Sequence, residues 1–263
     1  MYLTNEIGTV YYEAYGPEGA PAVVFSHGVA MDHRTFETQV KALENDFRVI
    51  VWDMPYHGYS SPIDKELQFS KTAADFVVAI MDELSISEAV WAGLSLGSFV
   101  VQQAVCNHPD RVRAAIHISG GTLYPRYPSV LKAFIPFVYA MLKPFPTGLL
   151  NKSFAEHKAL TEDTKAYLMQ TMSYTGKDAV IHLINEMVRD MVMGLPEPPE
   201  HPALIVYGDH DLRFIRQMSK TWHQRQPNSR LVEIQNAHHI LNQDNPEAFN
   251  AVLRAFLQET AAS

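Results

Sequence analysis

Along most of this chain, short apolar runs that stop at turns alternate with amphipathic stretches, and that alternation leaves few folds open. "AVVFSHG" (22–28), "FRVIVWDMP" (47–55), "AVWAGLS" (89–95), "VRAAIHIS" (112–119), "ALIVYGD" (203–209) and "RLVEIQN" (230–236) read as strands. Runs apolar over their whole length suit a sheet covered on both faces. "RTFETQVKALE" (34–44), "TAADFVVAIMDELS" (72–85), "LGSFVVQQAVCNH" (96–108), "FIRQMSKTWHQR" (214–225) and "PEAFNAVLRAFLQE" (246–259) read as helices. In the second of these, Phe76, Val77, Ile80, Met81 and Leu84 share one face. Pro246 and Glu247 are sound helix-start residues. "TVYYEAYG" (9–16) adds an N-terminal strand, paired with the segment before it. The fold class is therefore α/β, a mainly parallel central sheet with helices on both faces. Ligands then belong outside the carboxyl ends of the strands.

The alternation breaks between residues 121 and 198. That stretch opens with "GGTLYPRYPS", closes with "GLPEPPEHP", and holds six of the chain's 11 methionines: Met141, Met169, Met172, Met187, Met191 and Met193. Its pattern predicts helices over 129–143, 162–173 and 177–193. A helical insertion between two strands, at the edge where ligands bind, reads as a cap or lid. The division is thus a core of 1–120 and 199–263 with a helical cap of 121–198. Most of the insertion's apolar residues are expected to pack it onto the body, with a minority facing a substrate.

Composition removes several function classes. The net charge of −8 invites neither nucleic acid nor an anionic membrane. Cys106 is the only cysteine, which excludes an intrachain disulfide and any multi-cysteine metal site. The 12 histidines are scattered, so no metal is expected. The first strand–helix turn, "SHGVAMDHR", lacks G-x-G-x-x-G, and no cofactor is expected. No stretch approaches the ~20 apolar residues of a membrane-spanning helix. The N-terminus shows no signal-peptide pattern, which makes a cytoplasmic protein the default expectation.

The chemistry concentrates in Gly93-Leu94-Ser95-Leu96-Gly97, a G-x-S-x-G placed between a strand and a helix. A serine on so sharp a turn is held in a strained backbone conformation and needs small neighbours, here Gly93 and Gly97. The turn lifts the hydroxyl above the sheet, and the Leu96 N–H at the new helix's start is placed to stabilise an oxyanion. With this motif the sequence resembles the α/β-hydrolase fold superfamily, as a serine esterase-like member. "FSHGVAMD" matches that family's His-Gly segment as His27-Gly28-Val29. The resemblance makes the Val29 N–H the second oxyanion donor, with Gly28 giving close passage and His27 supporting the motif. "DMPYHGYSSP" matches the family's D-x-x-G-x-G-x-S segment, in which Asp53, Gly58 and Ser60 shape the loop. His57 reads as a loop residue rather than a catalyst.

The resemblance also orders the acid and the base. "LIVYGDHDLRF" offers Asp209 and Asp211; the family's G-x-x-D spacing from Gly208 favours Asp211, leaving Asp209 as a loop-shaping group. "NAHHILNQDNP" offers His238 and His239, and counting back from Pro246 favours His239, with Asp244 in the family's acidic position. His238 then replaces a glycine, a departure from the family pattern. The reaction implied is carboxylic-ester hydrolysis of a small-molecule substrate through an acyl-enzyme, with Ser95 as nucleophile, His239 as base and Asp211 as acid. Lactonases, thioesterases, carbon–carbon bond hydrolases and perhydrolases share these motifs. A ligand receptor on the same fold is the reading from another class.

Overall fold

A computed structural model of the chain describes every residue except 65–66, 125–126, 131–140, 197–200 and 263. Eight strands form one sheet: β1 Tyr2–Thr4, β2 Thr9–Tyr15, β3 Ala22–Ser26, β4 Arg48–Trp52, β5 Ala89–Leu94, β6 Val112–Ile118, β7 Ala203–Gly208 and β8 Ser229–Ile234. Their spatial order is β1-β2-β4-β3-β5-β6-β7-β8. The two N-terminal strands pair antiparallel and the rest run parallel. This is the mainly parallel sheet that the alternating pattern demands, with the N-terminal hairpin at one edge.

The helices split between the faces, because successive strand residues point to opposite sides. Val24, Trp52 and Trp91 pack with Phe76, Ile80 and Phe99, from α2 (Phe69–Glu83) and α3 (Leu96–Asn107). On the other face Val23, Phe25, Val49 and Val51 meet Phe36 just before α1 (Glu37–Leu43), Leu43 of α1, and Phe249 and Leu253 of the C-terminal helix Pro246–Ala262. Trp222, on Arg213–Arg225, lies 4.3 Å from the His117 ring, centroid to centroid. Every apolar run in the sequence reading becomes a strand of this sheet, with ends shifted by at most three residues. The segment expected to be one helix over 34–44 splits into a 3-10 turn, His33–Phe36, and α1.

Between β6 and β7 the described residues form three helices: α4 Thr147–Glu156, α5 Glu162–Thr175 and α6 Lys177–Met193. The last two match the expected 162–173 and 177–193. The helix expected over 129–143 falls largely outside the described residues, and α4 was not anticipated. Leu168, Met172, Val180, Ile181 and Leu183 are buried, whereas Met169 and Met193 are exposed. Thr161 caps α5 by accepting the Thr164 N–H at 3.2 Å.

Candidate active site

Ser95 follows the last residue of β5 with φ 53° and ψ −109°, the left-handed geometry that costs a non-glycine residue about 1–3 kcal/mol. Its flanks show why glycine is needed. A Cβ on Gly93 would run into the backbone of Gly97, and one on Gly97 into the Ser26 carbonyl. The Ser95 N–H donates to the Ile118 carbonyl at 2.9 Å, tying the turn to β6. Leu96 is the first residue of α3, so its N–H has no intrahelical carbonyl to bond.

The loop after β3 lies against this turn. A Cβ on Gly28 would sit 3.3 Å from the Cβ of Ser95. Two neutral histidines hold the loop. His27 Nε2 accepts the Met54 N–H at 2.9 Å, so its Nδ1 carries the proton and donates to the Gly28 carbonyl at 2.8 Å. His57 does the same for Ala30, accepting its N–H at 3.0 Å and donating to the Pro55 carbonyl at 2.9 Å. Burial pushes both rings down, His27 to about 3 and His57 to about 4. Ala30, at φ 61°, is thereby fixed, while the Val29 N–H makes no hydrogen bond among the described residues. Asp53 anchors the neighbouring loop, accepting the Tyr59 N–H at 2.9 Å and the His33 N–H and ring Nδ1 at 2.8 Å each.

At the carboxyl ends of β7 and β8, Asp211 and His239 meet. Asp211 Oδ1 is 3.0 Å from His239 Nδ1, with both side chains buried. Burial opposes ionisation of Asp211, yet His239 and the Leu212 N–H (2.7 Å) hold its carboxyl below the usual range. Burial, and then the positive charge of Lys158, keep His239 below the ordinary imidazole value. Its Nε2 is buried with no partner among the described residues. Asp209, two residues from Asp211, is committed elsewhere: it accepts the Ala237 N–H at 3.0 Å and lies 2.8 Å from His210 Nδ1.

His238 serves its neighbour through its own ring. Its Nδ1 accepts the His239 N–H at 2.8 Å, and its N–H donates to Asp244 at 2.9 Å. The left-handed residue of this loop is Asn236, φ 55°, so position 238 does not demand glycine.

Sequence reasoning missed the corner between α4 and α5. The Asp244 carboxylate accepts the N–H groups of Leu160 and Thr161 at 3.0–3.1 Å, and Ile240 donates to the Lys158 carbonyl at 3.1 Å. Tyr167 reaches the loop after β3, accepting the Asp32 N–H at 3.0 Å. No local pattern in "AEHKALTED" could announce that Lys158 would lie near Asp211 and His239. A cleft of about 730 Å³ elsewhere, lined by Ala22, Ala89 and Arg113, sits at the amino ends of the strands and holds none of these groups. Among the described residues no group of three or more His, Cys, Asp or Glu side chains is gathered for a metal ion. No described helix is long and apolar enough to cross a membrane.

Comparison with known proteins places this geometry in context. Residues 21–164 match the model of the alpha/beta hydrolase fold. The (E)-2-((N-methylformamido)methylene)succinate hydrolase of Acinetobacter baylyi (strain ATCC 33305 / BD413 / ADP1) is 25% identical over 266 residues, covering 99% of this chain and 98% of that protein. The carboxylesterase YbfK of Bacillus subtilis (strain 168) is 21% identical, covering 98% of this chain and 87% of its own. Among solved structures, Est816, described as an N-acyl homoserine lactone degrading enzyme, superposes with a TM-score of 0.78 at 22% identity. That match covers 97% of this chain and all of the other.

Proposed function

The chain belongs to the alpha/beta hydrolase fold family, and from that premise we propose that it cleaves carboxylic esters through an acyl-enzyme on Ser95. The observation that carries the reading is the His239 ring, with Nδ1 3.0 Å from Asp211 and a buried Nε2 that no group among the described residues uses. Neutral His239 takes the Ser95 proton as the hydroxyl attacks the acyl carbon. Asp211 fixes the ring's tautomer and stabilises the imidazolium, and the Val29 and Leu96 N–H groups receive the oxyanion. His239 returns the proton to the leaving alcohol, then activates the water that frees the acid. Residues 121–198 act in this scheme as a cap over the carboxyl edge of the sheet. An ester substrate is also in keeping with relatives named for carboxylesterase and lactone-degrading activity, since a lactone is an internal ester.

The test is direct. Purified protein is expected to hydrolyse short p-nitrophenyl esters and to be labelled by a fluorophosphonate probe, with both lost in Ser95→Ala. Absence of labelling and of Ser95-dependent turnover in folded protein would refute the proposal. Labelling without ester turnover would move the substrate to another acyl class handled by the same three groups.

A further inference from the structure

The Lys158 backbone is locked beside the proposed base. Its carbonyl accepts the Ile240 N–H at 3.1 Å, one residue past His239. Two residues on, the Leu160 and Thr161 N–H groups bind Asp244, which also takes the N–H of His238. The side chain is half-buried, and its Nζ has no hydrogen bond or salt bridge among the described residues. Asp211 favours its charge without forming an ion pair with it, and the face of Phe154 lies with its ring centroid 5.9 Å away. That is the outer limit of a cation–π contact.

The carboxylates around it are otherwise engaged. Asp211 bonds His239 and the Leu212 N–H, and Asp244 is filled by backbone N–H groups. Of the remaining titratable neighbours, His238 uses its Nδ1 on the His239 N–H, and Lys158 disfavours a charge on either histidine. A half-buried ammonium without a directly bonded counterion is costly to keep, and its burial lowers the Lys158 pKa. Here it also opposes the imidazolium that ester cleavage requires.

We infer that Lys158 is a specificity residue, and that the preferred substrates carry a free carboxylate close to the scissile ester, as half-esters or lactones of dicarboxylic acids do. The inference rests on the hydrolase reading and names its substrate class. A bound carboxylate supplies the direct counterion that Lys158 lacks and offsets the charge that opposes His239 protonation. The advantage therefore falls on kcat as well as KM.

Two esters of equal acyl length isolate the effect: mono-p-nitrophenyl glutarate and p-nitrophenyl valerate. The wild type is expected to favour the glutarate half-ester by about tenfold or more in kcat/KM, roughly one good charge-assisted contact. Lys158→Met should erase that preference and raise valerate turnover, and Lys158→Arg should restore most of it. With valerate, the acid limb of the pH profile should move to higher pH in Lys158→Met, a shift that lost packing alone would not produce. An unchanged preference in Lys158→Met, or an equal loss on both esters, would overturn the inference and leave the hydrolase reading intact. No turnover of either ester by folded wild type would overturn the hydrolase reading, and this inference with it.

Discussion

Asp209 and Asp211 are two carboxylates in one turn, distinguished only by what they touch. Asp211 is buried against His239, whereas Asp209 holds the Ala237 N–H and helps fold the histidine loop. Asp211→Asn removes the charge that stabilises the imidazolium and presents an amide that favours the wrong ring tautomer. Its kcat is expected to fall by about 10⁴-fold, the scale of the corresponding change in serine proteases. Asp209→Asn keeps an oxygen for Ala237 and should stay within about tenfold of wild type. Kinetics on a p-nitrophenyl ester decide the matter; equal, mild losses would remove Asp211 from the proposed mechanism. The same ring sets the pH dependence. Because the folded protein holds His239 below 6.5, the base form is present at lower pH than in free imidazole, and the acid limb of kcat/KM should have its midpoint below pH 6.5.

Asp244 joins elements distant in sequence: the α4–α5 corner, the histidine loop and the short helix Leu241–Asp244. Asp244→Ala would strand the N–H groups of His238, Leu160 and Thr161. The cost should be about 2–3 kcal/mol, a melting temperature lower by roughly 4–10 °C. Differential scanning calorimetry would show it; a drop below 2 °C would mean that water replaces the carboxylate fully. This junction also marks the limit of what the sequence discloses. The sheet was legible because the apolar period of each strand is local, and the Ser95 turn because Gly93 and Gly97 are adjacent to it. Asp244 was visible only as a motif position, since its partners Leu160 and Thr161 lie 84 and 83 residues away. Lys158 left no trace, because its meaning arises from where the insertion folds back. His238 looked anomalous only by comparison with a glycine, and the backbone there asks for none.

For the molecule as a whole, buried histidines govern acid stability. His27, His57 and His117 are almost fully buried, and burial holds them at about 3, 4 and 3, against 6.5 when exposed. As pH falls below 6.5 the unfolded chain gains three protons that the folded chain refuses until far lower pH. Stability therefore falls with pH, and these three groups alone cost about 4 kcal/mol per unit between roughly pH 5.5 and 4.5. His33 works in the opposite sense. Asp53 and Glu13 overcome its burial and raise it, so its contribution is complete below 6.5 and is lost as pH rises through its folded value. One raised histidine cannot offset these three, to which the depressed His238 and His239 add in the same sense, and the acid side dominates. Against a total of about 5–15 kcal/mol, a loss at that slope removes a large share of the stability by pH 4. Urea titrations at half-unit steps from pH 7 to 4.5 would measure the slope. His117→Asn, which keeps a polar partner for the Ser98 hydroxyl now 2.9 Å from the ring, should lower stability at pH 7 yet cut the acid slope by one group's share, about 1.4 kcal/mol per pH unit. An unchanged slope would mean that the protons refused by the folded chain belong to other groups.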